Sequence, residues 1–175
     1  MEQTPDSPLT LWSSVVYDTD MEMIQELSEK QRTAQTYFRS GYSCAQSVLM
    51  TFHEACGLSE QAAARVASSF GGGIGGMREV CGTVSAMALV LGYVAGYDAP
   101  DDLDAKKAHY AQVRALVGGF TDRHGTLVCR ELLKKAGAQP KPDPSPRTEQ
   151  YYKVRPCETY VLDAVALLED WFKTR

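Results

Sequence analysis

Residues 70–86 read FGGGIGGMREVCGTVSA, with five glycines in the six positions 71–76. Glycine loses more conformational freedom on folding than any other residue, and it weakens a helix or strand by roughly 0.5–1 kcal/mol relative to alanine. No regular element is expected to run through this segment. Whatever precedes it must end there, and Cys81 must open something new. Three uses of so much bare backbone stand open. A phosphate loop would need a preceding strand and a GK[ST] ending, and the segment has neither. A bare turn could let helices pack tightly. A cradle of N–H groups could surround an anion beside Cys81. The last two are compatible, and Gly72, Gly73, Gly75 and Gly76 are the candidate cradle positions.

The rest of the chain reads as helices. Its 175 residues suit one domain with a full core. Helical segments are expected at 21–38, 43–57, 59–70, 81–96, 100–125, 126–137 and 156–172. Local signals mark their ends. Ser43 and Gln46 have capping-box spacing, Ser59 is a cap, and Gly41, Gly57 and Gly137 are stops. The segment 81–96 is apolar nearly all round and is expected to be the central buried helix. Between Gly137 and Tyr151 runs AQPKPDPSPRTEQ, a proline-rich connection read as a loop too polar to pack. No strand alternation and no repeat is found. The expectation is an all-α, compact single-domain bundle of about six to seven helices over 19–175, with 1–18 as a poorly ordered leader.

Five cysteines punctuate these segments. Cys44 follows the cap Ser43, Cys81 opens the apolar helix, Cys129 comes three residues after Thr126 as a cap, and Cys157 follows Pro156. Four thiols therefore fall in the first turns of four helices. There the unpaired N–H groups and the positive end of the dipole favour thiolate, the form that binds metal or attacks a disulfide. Each heads an apolar stripe, such as Val48 and Phe52 after Cys44, or Leu132, Leu133 and Ala136 after Cys129. Inward-facing stripes could bring the four thiols to one point. Cys56 lies twelve residues beyond Cys44, at a helix end, and reads as structural. The alternative is that all five simply fill core, as buried cysteines commonly do. There is no CxxC, so no close-spaced zinc or dithiol signature is present.

The blocks YFRSGYSCAQSVL, FGGGIGGMREVCGTVSA and GTLVCRELL, with a late cysteine before a terminal helix, resemble the redox-active protein family named for its cysteine pattern, C_GCAxxG_C_C. Order and spacing agree from about Thr33 to Trp171. The resemblance implies Cys44, Cys81, Cys129 and Cys157 as the family cysteines and leaves Cys56 out. The family's CGAxxG reads CGTVSA here, with Thr83 and Ala86 adding bulk beside Cys81. A similar module in split-Soret cytochromes is associated with an iron–sulfur centre. This chain has no CxxCH, so covalent c-type haem is not expected.

The remaining candidates are weaker. His53, His109 and His124 are widely separated and read as surface or boundary residues. Arg78 could hold a thiolate or anionic cluster beside Cys81, while Arg78–Glu79 and Arg130–Glu131 could equally be solvated helix-end pairs. The net charge of −4 predicts no nucleic-acid groove, and no apolar run reaches membrane-spanning length. The acidic, proline-containing start MEQTPDSPLT lacks the order of a signal peptide, so the expected location is cytoplasmic. The expected function is electron transfer or other redox work through an iron–sulfur cluster or another thiophilic metal on the four cysteines. An electron-transfer partner is then required, and a homo-oligomer is compatible. The alternatives are a metal-free thiol–disulfide oxidoreductase and a non-enzymatic helical module.

Overall fold

A computed structural model describes residues 26–175, so the expected leader at 1–18 and the first residues of the segment 21–38 lie outside the described residues. Eight helices follow in order: α1 (Glu29–Arg39), α2 (Cys44–Thr51), α3 (Glu60–Ser68), α4 (Gly82–Ala95), α5 (Leu103–His124), α6 (Cys129–Lys135), α7 (Glu149–Val154) and α8 (Cys157–Lys173). The architecture is all-α. Among the described residues the only extended pairing is a single antiparallel bridge between Val80 and Val128.

The caps explain most boundaries. Ser28 starts α1 with a full capping box to Gln31, so that among the described residues the helix begins at Glu29. Ser43 and Gln46 form the same reciprocal pair at α2, and the Ser59 side chain accepts from Ala62 N at α3. Gly41 is left-handed at φ 103°, just beyond the α1 C-cap Ser40. Thr126 is not the cap of α6, because Val128 holds that place and Thr126 Oγ1 accepts from Val128 N instead. α2 ends at Phe52 rather than near Gly57, and residues 53–57 continue as turns, with Leu58 N donating to His53 O around left-handed Gly57. Cys56 therefore does not share one continuous helix with Cys44.

The centre of the fold is α2, not α4. Six of its eight residues are buried, and it packs against α1, α3, α4 and α8. Its buried hydroxyls satisfy themselves locally: Ser47 Oγ donates to Ser43 O and Thr51 Oγ1 to Ser47 O. Short side chains at Ala45 and Ser47 let four helices approach it closely. α4 is apolar all round, yet it turns only one side to the core. Its other side leaves a shallow groove with Leu89, Gly92 and Tyr93, continued by Phe70 and Ile74. α8 closes the bundle, burying Val161, Ala164, Val165 and Leu168 against α1, α2, α4 and α5, and Phe52 stacks on Phe172 with ring centroids 5.6 Å apart. The stripe after Cys129 is shorter than expected: Leu132 and Leu133 are buried, and Ala136 is exposed at the C-cap. No helix among the described residues is long and apolar enough to cross a membrane.

The proline-rich connection packs, contrary to the expectation of an unpacked loop. Arg78 Nε donates to Lys141 O at 2.8 Å, Arg147 Nη2 to Tyr42 O at 2.9 Å and Arg155 Nη2 to Ser145 Oγ at 3.2 Å. Prolines bring no N–H that needs a partner, and the connection is tied down from both sides, by Arg78 on its Lys141 carbonyl and by its own Arg147 on Tyr42. The segment then turns into α7, capped by Thr148, which is the helix the sequence reading lacked.

A four-cysteine cavity at converging helix starts

Cys44, Cys129 and Cys157 are the first residues of α2, α6 and α8, and Cys81 is the N-cap of α4. All four line one cavity of about 370 Å³, while Cys56 does not. Cys56 packs in the main core, where burial pushes its thiol up to about 11. None of the five is disulfide-bonded.

Two local devices bring the helix starts together. The exit from the glycine segment runs antiparallel to the entry of α6. Cys81 N donates to Leu127 O at 2.8 Å, Cys129 N to Glu79 O at 2.6 Å and Arg130 N to Arg78 O at 3.0 Å. These bonds satisfy the first donors of α6, which has no side-chain cap. The second device is the glycine segment itself. Residues 72–76 all have left-handed φ, from 54° to 83°, including Ile74 at 62°. An L-residue pays roughly 1–2 kcal/mol for that conformation, so a run of five is feasible only because four are glycine. Gly72, Gly75 and Gly76 line the cavity together with Gly71, which the sequence reading left out. Gly73 stands behind them, where a Cβ would come within 2.8 Å of Cys129 Cβ and 2.9 Å of Glu79 N. At Gly82 a Cβ would come within 2.7 Å of Cys44 Sγ.

The electrostatics separate the four thiols. Cys44 is lowered to about 6, first by a hydrogen bond from the Cys81 thiol and, against burial, by the N–H groups of Gly72 and Ala45 and the Arg147 charge. Cys81 rises well above the ordinary thiol range through that same bond, burial and the nearby Cys44 charge. Its sulfur also lies 3.1 Å from Thr83 Oγ1, so the residue that departs from CGAxxG contacts the site. Burial and then the Cys44 charge raise Cys129, with Arg78 pulling the other way. Burial and repulsion from Cys44 and Cys129 push Cys157 up to about 12. The expectation that each helix start would favour thiolate thus holds only at Cys44. Burial and mutual repulsion exceed the end-of-helix field at the other three.

In metal-free protein, iodoacetamide is therefore expected to alkylate Cys44 first. Its rate should rise through about pH 6 and level off above that, because thiolate is the nucleophile. Cys56 should stay unmodified at neutral pH. Peptide mapping of the labelled sites against pH checks this, and a midpoint near 8.5, the free-thiol value, would show that the environment of Cys44 is not as described.

Arginines surround the cavity. Arg78, an expected site residue, lines it with its charge opposing the rise at Cys129, and Glu79 turns outward to pair with Arg130 on the surface. Arg147 and Arg155, which the sequence reading did not single out, line it as well. No Asp or Glu does. Of the histidines, His124 sits against Phe120 and Tyr160 and faces Asp163, and none of the three reaches the cavity. Among the described residues, no group of three or more His, Cys, Asp or Glu side chains is already drawn together as ligands of a metal ion.

A protein-family model described as "Putative redox-active protein (C_GCAxxG_C_C)" matches residues 42–171. No curated protein and no solved structure matches the chain. The matched span contains all four cavity cysteines and the glycine segment between them, and the chain belongs to the C_GCAxxG_C_C family.

Proposed function

We propose that this redox protein transfers electrons through an iron–sulfur cluster, or another thiophilic metal centre, held by Cys44, Cys81, Cys129 and Cys157. The observation that carries the reading is that four thiols from four helix starts share one cavity with three guanidiniums and no carboxylate. That donor set fits an anionic, sulfur-ligated group. Soft thiolates select such centres, nearby N–H groups such as Gly72 tune them, and the arginines offset their charge. Among the described residues no three ligand side chains are already drawn together around one ion, so a single ion or a cluster would each need the cysteine side chains to adjust on binding.

When bound, such a cluster would supply one-electron chemistry. The chain's own residues would orient it, exclude water from it and set its potential. Coordination would also take from Cys129 and Cys157 the protons that burial and the Cys44 charge favour, and from Cys81 the proton held by its contact with Cys44, since a coordinated thiol is deprotonated. Five unpaired cysteines suit a reducing, cytoplasmic setting.

The Cys44–Cys81 contact favours a second reading. A lowered thiol beside a raised one is the arrangement of a dithiol pair, and exchange with a partner disulfide would join them as a disulfide while the partner leaves as two thiols. Iron, zinc and acid-labile sulfide per chain, measured on protein purified without oxygen, separate the two. The expected result is iron with sulfide and charge-transfer absorption. A metal-free preparation that reversibly loses two thiols on oxidation would favour the dithiol. No metal and no reversible thiol change would leave a helical protein with structural cysteines.

A further inference from the structure

The three guanidiniums of the cavity are not used alike. Arg78 is committed, with Nε donating to Lys141 O at 2.8 Å and Nη2 to the same carbonyl. Arg147 and Arg155 make no hydrogen bond to a cysteine. Both stack on Tyr151, with guanidinium carbons 4.5 and 4.9 Å from the ring centroid, and Arg147 also lies 4.7 Å from the centroid of Phe38. Arg147 spends Nη2 on Tyr42 O, and Arg155 spends Nη2 on Ser145 Oγ. Among the described residues neither forms an ion pair, and Arg147 Nη1 is buried with no hydrogen-bond partner.

Two cations sharing one aromatic ring repel each other, and a buried donor without a partner carries its full desolvation cost. Both costs fall if an anion joins them. A guanidinium fork matches a planar or tetrahedral oxyanion. The surrounding wall is apolar, with Phe38, Leu132 and Pro144, and the cavity volume of about 370 Å³ lies in the ~300–1,000 Å³ range of small-molecule sites.

We propose that Arg147 and Arg155 form a binding site for a small organic anion. Its carboxylate or sulfonate head sits on the two guanidiniums and its short apolar body lies against Phe38, Leu132 and Pro144. The anion is held by the chain's own guanidiniums and needs no metal centre on the four thiols. It places the ligand in the same cavity as Cys44 and Cys157, within reach of any redox chemistry there.

The test titrates benzoate, benzenesulfonate and neutral benzamide into the full-length protein by calorimetry, both as purified without oxygen and after stripping with a chelator. Saturable one-to-one binding of the anions is expected, at least tenfold tighter than benzamide and weakened by added salt. Arg147→Gln and Arg155→Gln should each reduce anion affinity at least tenfold, Arg147→Lys should recover part of it, and Arg130→Gln on the surface should change nothing. Equal binding of benzoate and benzamide, or wild-type anion affinity in both glutamine variants, would overturn the proposal, as would no binding at all. If Arg147→Gln fails to fold, Arg155→Gln and the benzamide comparison still decide. Iron analysis of the same samples keeps the metal centre separate: iron-free protein that binds benzoate through Arg147 and Arg155 counts against the cluster alone.

Discussion

Serine at Cys44, Cys81, Cys129 or Cys157 is expected to remove most of the iron and sulfide from protein prepared without oxygen, whereas Cys56→Ser should leave both intact. A hydroxyl is a poor ligand for a soft metal, and the four cysteines share one cavity from which Cys56 is absent. Cys56 lies in the core with its thiol raised by burial. Its replacement should cost only stability, about 1–3 kcal/mol for a buried hydroxyl that finds no partner. The measurement is metal and sulfide per chain in the five single variants, beside their thermal unfolding. Equal losses at all five positions would remove the distinction between the cavity cysteines and Cys56. Full occupancy in the Cys157→Ser variant alone would reduce the ligand set to three.

Alanine at Gly73 is expected to be far more damaging than alanine at Gly75, although both glycines are left-handed, at φ 69° and 54°. At Gly75 nothing lies within 4 Å of the new Cβ, so the cost is conformational, about 1–2 kcal/mol. At Gly73 the same cost is joined by collision with Cys129 Cβ and the Glu79 amide at 2.8 and 2.9 Å. Overpacking of that kind adds about 1–3 kcal/mol, for a total of about 2–5 kcal/mol. The clash also pushes on the backbone that pairs Glu79 with Cys129, so Gly73→Ala should lose metal as well as stability. Chemical denaturation gives the two free energies. Equal values would mean that the segment is held by its turn geometry alone, with no close approach to the cysteine wall.

What could be read from the chain alone was decided over three or four residues. Ser43 and Gln46 cap α2 because the two residues face each other as soon as one turn forms, and Ser59 acts the same way at α3. Of the four helix-start cysteines, Cys44 owes its place to such a cap, whereas α4, α6 and α8 begin without a side-chain cap. The glycine density foretold an unusual backbone, and four of the five successive left-handed residues are indeed glycine. Capping and left-handed backbone are short-range effects, so contiguous sequence carries them.

The tertiary structure alone decided how those starts are used. Hydropathy marked α4 as buried but could not say which side would be covered, and the short helix α2 took the centre because small residues and self-satisfied hydroxyls admit four neighbours. Arg147 enters the site through a bond to Tyr42, 105 residues away in sequence, and it comes from a connection whose composition suggests an exposed loop. The order of the thiols could not be read from helix starts either. A local field treats all four alike, whereas Cys44 is low and the others high because of which sulfur, amide or guanidinium each one meets. Desolvation and charge–charge energies depend on distances between residues remote in sequence, and only packing sets those distances.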